Sequence, residues 1–259
     1  MNISHDYKED KDTLKKERKK QRDSRKKFKT LPKKMIYMKN GDKLTHEAWF
    51  PNRNIANLPR PYRAILCGGV NSGKTTTAKN LILRAYPRFD RIMLVHCSPS
   101  STEWDDLGLS EEDKFTDIPD ISEFPEEGSK EKCLIILEDV EYVGNESKHK
   151  NLYMLFRYIS THCNTSVILN YQSFIKVPKI ARRLASFFTI WRMPDLTQMQ
   201  IIERKVGLKK GELLDMFENC CDDPRDSISF DLSLNTPAPI RKNIFQVITK
   251  QEDFINADF

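Results

Sequence analysis

The eight residues GGVNSGKT, Gly68–Thr75, constrain what this chain can fold into more than any other part of it. They match the spacing Gly-x4-Gly-Lys-Ser/Thr. They follow an apolar run, Tyr62–Cys67, and precede a stretch in which Ala78, Leu81, Ile82 and Ala85 recur at helical spacing. A strand, a glycine-bearing loop and a helix in that order make a phosphate cradle. Gly68 and Gly73 let the loop turn so that backbone N–H groups converge on phosphate oxygens. The helix starting near Lys74 adds unpaired N–H groups and the positive end of its dipole. Lys74 brings charge to the β and γ phosphates, and the Thr75 hydroxyl is a hard oxygen ligand for Mg2+. The turn as a whole, Gly68, Gly69, Val70, Asn71, Ser72, Gly73, Lys74, Thr75 and the adjoining Thr76, is expected to bind ATP with Mg2+.

From Tyr62 onward, short apolar runs alternate with helix-period stretches, the pattern of a mainly parallel sheet flanked by helices. Strands are expected at Tyr62–Cys67, Arg91–Cys97, Cys133–Leu137, Thr165–Asn170 and Ser186–Trp191. Leu152, Leu155, Phe156 and Ile159 give one helix a core face, and Leu213, Met216, Phe217 and Cys220 another. An alternating run, Ser227–Leu232, and a last apolar run, Ile244–Ile248, read as further strands. The acidic stretch from Thr102 to Glu131, broken by Pro119, Pro125 and Gly128, is too polar for a core strand and reads as an exposed connection. The fold class is therefore α/β, a P-loop NTPase.

CLIILEDV, Cys133–Val140, is an apolar strand ending in two acids, and packing alone seldom asks for paired carboxylates there. One acid would hold Mg2+ and the other would polarise the attacking water. Glu138 is assigned to the metal and Asp139 to the water, with an exchange of roles left open because the order Glu-Asp is unusual. Gln172, beside Ser173 at the end of the following apolar strand, can orient that water or sense the γ phosphate.

Charge divides the chain. Residues 1–40 hold 15 Lys and Arg against 6 Asp and Glu, a net of +9, and the remaining 219 residues have a net of −3 within a total of +6. The run KKERKKQRDSRKKFKTLPKK (15–34) has too little apolar surface to order itself by burial, so residues 1–40 are expected to be a basic disordered arm ahead of an ATPase domain, 41–259. Contact with nucleic-acid phosphates, nuclear import and simple solubilisation all suit such an arm. No run approaches the 18 apolar residues of a membrane span, and the amino terminus lacks the apolar core of a secretory signal. The six cysteines lack metal-site spacing and read as reduced core residues, which suits cytosol or nucleus.

Four blocks together, GGVNSGKT, LIILEDV, SVILNYQSFIKVPK with the Arg-rich segment after it, and DSISFDL followed by RKNIF, resemble the poxvirus-type genome-packaging ATPases of the FtsK–HerA superfamily. The resemblance spans roughly Tyr62 to Ile248. It implies a FtsK–HerA/RecA-like fold and an ATP-driven translocase that packages viral double-stranded DNA into a preformed capsid. A homo-oligomeric ring, pentamer or hexamer, and a capsid or portal-vertex protein are the implied partners. The implied location is a viral assembly site in host cytoplasm or nucleus, or the virion itself. An arginine from one subunit is implied to complete its neighbour's site. Where the family pattern has Arg before the histidine that precedes the sensor strand, this chain has Thr161–His162, which leaves Arg157, Arg182 and Arg183 as candidates. A replicative helicase or other DNA remodeller on the same core is the alternative function, and a non-catalytic nucleotide switch a third.

Overall fold

A six-residue run such as CLIILE, apolar until its last position, suits a strand covered on both faces. In the computed structural model, Cys133–Glu138 is such a strand, buried along its whole length. The structure describes residues 35–37, 58, 60–85, 87–98, 101–140, 146–233 and 239–250. The basic arm expected at residues 1–40 lies outside them except for Met35–Tyr37, a short strand, β1.

Nine more strands follow: β2 Arg63–Cys67, β3 Arg91–His96, β4 Lys114–Phe115, β5 Cys133–Glu138, β6 Thr165–Tyr171, β7 Phe187–Trp191, β8 Ser227–Asp231, β9 Ile240–Lys242 and β10 Gln246–Lys250. They lie in the order β10-β9-β8-β7-β2-β6-β5-β3-β4, with β1 outermost beside β10. The six strands from β7 to β4 are parallel, and β8 is antiparallel to β7, β9 to β8 and β10 to β9. Ile36–Thr249 form one compact unit, and the other unit, Met1–Met35 with Lys250–Phe259, falls almost wholly outside the described residues. This is the expected α/β architecture.

The helices are α1 Lys74–Leu83, α2 Glu146–Met154, α3 Ser160–His162, α4 Lys179–Leu184, α5 Leu196–Val206 and α6 Glu212–Cys220, with a π-helical turn, Leu155–Ile159, joining α2 to α3. The apolar positions that set their spacing face inward: Ala78, Leu81 and Ile82 on α1, Leu152, Leu155, Phe156 and Ile159 along the α2 segment, and Leu213, Met216, Phe217 and Cys220 on α6 are all buried. Burying such side chains is the main drive for the fold, at about 1.5–3 kcal/mol each.

Some elements depart from the sequence reading. The acidic connection is largely exposed, yet Trp104 within it is fully buried in the cluster that holds Leu81, Leu94 and Ile136. Lys114–Phe115 adds to the sheet as an edge strand parallel to β3. The run Ile244–Ile248 is not one strand: Asn243 and Ile244 have φ of 49° and 70° and belong to the turn between β9 and β10. Of the six cysteines, all free thiols, Cys67, Cys133, Cys163 and Cys220 are buried, but Cys97 is exposed and Cys221 half-buried, so not all are core residues. No helix among the described residues is long and apolar enough to cross a membrane.

The block DSISFDL followed by RKNIF has a structural reason. Asp231 and Arg241 form an ion pair at 2.9 Å with both side chains almost fully buried, and Asp226 meets Lys242 at 2.8 Å. Burial alone would raise the Asp226 carboxyl, but hydrogen bonds from Lys242 and Asn243 hold it below its ordinary value. In these two pairs each charge keeps its partner, which offsets a desolvation cost of several kcal/mol per ion.

Candidate functional site

Parallel pairing puts the loop, the acid pair and Gln172 on one edge of the sheet. β6 lies between β2 and β5, and Leu66, Asn170 and Glu138 are in register across the three strands. Two strand spacings, about 10 Å, therefore separate the end of β2 from the end of β5. Both turns are tied to β6: the Gly68 N–H donates to the Tyr171 carbonyl at 3.1 Å, and the Asp139 N–H donates to the Asn170 carbonyl at 3.1 Å.

The loop geometry explains its glycines. A Cβ on Gly68 would lie 2.7 Å from Cβ of Trp191 and 2.8 Å from Oγ of Ser72, so no larger residue fits without displacing the β7 tryptophan or the loop. Gly73, at φ 103°, occupies the N-cap of α1 in the left-handed region that glycine favours. Lys74 is buried, and its ammonium donates to the carbonyls of Gly68 and Gly69 at 2.9 and 2.8 Å, which holds it inside the curve of the loop. The first helical bond is Thr77 N–H to the Gly73 carbonyl, so the N–H groups of Lys74, Thr75 and Thr76 precede it as free donors of the first turn. Ser72 Oγ is buried with no hydrogen-bond partner among the described residues. Converging N–H donors, an ammonium and an orphaned hydroxyl suit a multiply charged oxyanion.

The two acids have different surroundings. Glu138 is buried, and one of its oxygens accepts from the Asn170 side-chain amide at 2.5 Å. Burial pushes its carboxyl up to about 7; the Asn170 hydrogen bond and Lys74 oppose that rise, and the carboxylates of Asp139 and Glu103 add to it. Asp139, at φ 44°, turns the chain off the strand and accepts from Nε2 of exposed Gln172 at 2.7 Å. Buried Glu138 and hydroxyl-bearing Thr75 are hard oxygen donors of the kind Mg2+ takes, needing few protein ligands because it retains several waters. The donor set fits that metal. Among the described residues no larger cluster of His, Cys, Asp and Glu suits a metal ion.

A cleft of about 810 Å³ opens from the loop along α1, past Thr76, Asn80 and Arg84, to a far wall made by the turn between β9 and β10. The Arg84 guanidinium lies 5.3 Å from the centre of the Phe245 ring on that wall. Trp191 joins the two sides, since its indole N–H donates to the Arg225 carbonyl at 2.9 Å. Sequence reasoning assigned no site role to Asn170 or to the wall residues Arg84, Asn243 and Phe245. Asn170 was visible only as one polar position in an apolar strand. The wall lies some 160 residues along the chain from α1, and no local spacing ties the two together.

The three arginines lie elsewhere. Arg157 sits on the π-helical turn, exposed, with its guanidinium 4.9 Å from the Tyr153 ring and hydrogen-bonded to the Tyr153 hydroxyl. The carbonyl of its neighbour Phe156 accepts from Arg63 at the start of β2, the end opposite the loop. Arg182, half-buried over the Phe174 ring at 5.8 Å, and exposed Arg183 occupy the last turn of α4. That helix leads to Ser186, whose N–H donates to the carbonyl of Arg63. The fold thus unites the loop, Glu138, Asp139 and Gln172, and places all three arginines toward the other end of the strands.

No family model and no curated protein matches the sequence. Among solved structures, the genome packaging NTPase B204 from Sulfolobus turreted icosahedral virus 2, in complex with sulfate, aligns with 71% of this chain and 96% of its own at 12% identity and a TM-score of 0.50. The pCW3 conjugation coupling protein TcpA aligns with 85% of this chain and 66% of its own at 8% identity, TM-score 0.45. The cytoplasmic domain of the type VII secretion ATPase EccC from Thermomonospora curvata aligns with 76% of this chain and 26% of its own at 10% identity, TM-score 0.44. The likeness to B204 shows a shared fold.

Proposed function

We propose that this chain is an Mg2+-dependent ATPase that translocates double-stranded DNA, acting as a packaging motor of the FtsK–HerA type. The observation that carries this reading is the meeting, at one sheet edge, of the Lys74 loop, the buried Glu138 and the Gln172–Asp139 pair. The fold shared with a protein described as a genome packaging NTPase supports it.

In this reading the N–H groups of the α1 first turn and the Lys74 ammonium bind the β and γ phosphates, and the nucleoside extends along the cleft toward Phe245. Thr75 and Glu138 would hold Mg2+, which when bound would neutralise charge on the phosphate oxygens. Asp139 takes the proton of the attacking water. Gln172 fixes the Asp139 carboxylate through its amide and can exchange that contact for one to the γ phosphate. One of Arg157, Arg182 and Arg183 acts on a neighbour's site in a homo-oligomeric ring, which accords with their distance from the chain's own loop. The residues 41–259 form the motor domain, residues 1–40 a basic arm, and a capsid or portal-vertex protein receives the motor at a viral assembly site.

Steady-state ATP turnover with and without linear duplex, over a range of salt, tests the reading. Turnover stimulated by intact duplex, with no separation of a forked substrate, is expected. Strand separation would favour a helicase, and indifference to duplex in the presence of the capsid partner would remove the translocase.

A further inference from the structure

Between Glu146 and Asp195 the sequence has no acidic residue. The 48 positions 147–194 carry eight Lys and Arg, in a chain whose residues beyond position 40 are otherwise net acidic. The fold turns part of this stretch into an exposed loop that begins at the catalytic edge. Gln172, bonded to Asp139, follows directly on β6; the chain then runs through Ser173 and Phe174 to Ile175 and Lys176, both exposed, and enters α4 at Lys179, also exposed.

The base of the loop is held firmly. Phe174 and Val177 are buried on either side of the tip, and the Gln198 side-chain oxygen accepts from both the Ser173 hydroxyl, at 3.0 Å, and the Phe174 N–H, at 2.8 Å. The tip presents a half-exposed aliphatic residue, Ile175, with exposed Lys176 next to it in the chain and exposed Lys179 four residues on. An isolated exposed isoleucine is ordinary. One fixed between buried anchors, inside an acid-free segment and three residues from a group that touches the catalytic carboxylate, suits a contact element whose partner is a polyanion.

We propose that the loop Ile175–Lys179 is the contact through which bound duplex DNA acts on the ATPase site. Lys176 and Lys179 meet backbone phosphates without reading sequence, and Ile175 packs against sugar. A shift of the loop on DNA is passed through Ser173 to Gln172 and so to the Asp139 carboxylate. This rests on the reading that the chain acts on duplex DNA.

The test compares the full chain with Lys176→Ala/Lys179→Ala. Two measurements are needed: binding of a labelled linear duplex as a function of salt, and ATP turnover with and without that duplex. Two lost phosphate contacts should reduce the slope of log affinity against log salt by about 1.8 and weaken binding at ~0.1 M salt by some tens-fold. DNA stimulation of turnover should vanish while turnover on ATP alone persists. Should the unaltered chain bind duplex and the variant retain the same slope and stimulation, the loop has no such role and the translocase reading survives. Should the variant lose self-association while its DNA affinity holds, the loop is a subunit contact and this assignment is wrong. A wild-type chain that ignores duplex overturns both readings together.

Discussion

At the residue scale, the strongest constraints are steric and electrostatic. Gly68→Ala places a methyl 2.7 Å from Trp191 Cβ, a backbone-proximal atom of a buried strand that cannot swing aside. Overpacking of this kind costs about 1–3 kcal/mol, so the variant should melt at lower temperature and bind nucleotide poorly, by calorimetry and thermal denaturation. Glu138 adds a pH dependence with a determined sign. Burial raises its carboxyl from the ordinary 4.5 to about 7. The ligand-free protein keeps the stability of the protonated group below about 4.5 and loses it as pH rises through about 7. Relative to Glu138→Gln, the parent should therefore lose thermal stability across that window. In the proposed site Mg2+ would need the Glu138 carboxylate, so apparent Mg2+ affinity should fall as pH drops below about 7 in the parent but not in the variant. Asp139→Asn should leave nucleotide binding intact and slow turnover by about 10²–10⁴-fold, the usual worth of a positioned general base.

At the scale of elements, legibility followed locality. The loop, β2 and α1 were readable because a glycine pattern, an apolar run and a helical period all fall within some 24 residues and agree. β5 and β6 were readable because a strand covered on both faces is almost wholly apolar, and the acids Glu138 and Asp139 mark where β5 ends. The two-residue β4 gives no periodicity at all, and Trp104 looked like part of a polar connection because its burial depends on α1 and β3 rather than on its neighbours. The β9–β10 turn was misread for another reason. Ile244 is apolar and buried, and only its backbone, at φ 70°, separates it from the strand that follows. That turn forms the far wall of the cleft, which yields a test of the element. Phe245→Ala should weaken ATP binding roughly ten-fold, about the loss expected for one aromatic contact, while binding of inorganic triphosphate, which needs only the loop, stays unchanged. Equal weakening of both ligands would place Phe245 outside the nucleoside path.

At the scale of the whole molecule, the order β2-β6-β5 is what brings the separate motifs to one candidate site. The single intervening strand carries Asn170 to Glu138, and Gln172, the residue after it, meets Asp139, so a movement at the end of β6 reaches both carboxylates. The same strand leads directly into the basic loop and α4, so the candidate site and the outer surface share one continuous element. The antiparallel strands β8–β10 complete the cleft from the other side and are braced by the Asp231–Arg241 and Asp226–Lys242 pairs. Calorimetric titration of Mg-ATP into the parent, Lys74→Ala and Asp139→Asn, with turnover measured on the same samples, bears on this arrangement most directly. The parent and Asp139→Asn should bind, Lys74→Ala should not, and only the parent should turn over. Parent-like binding by Lys74→Ala, or parent-like turnover by Asp139→Asn, would contradict the site.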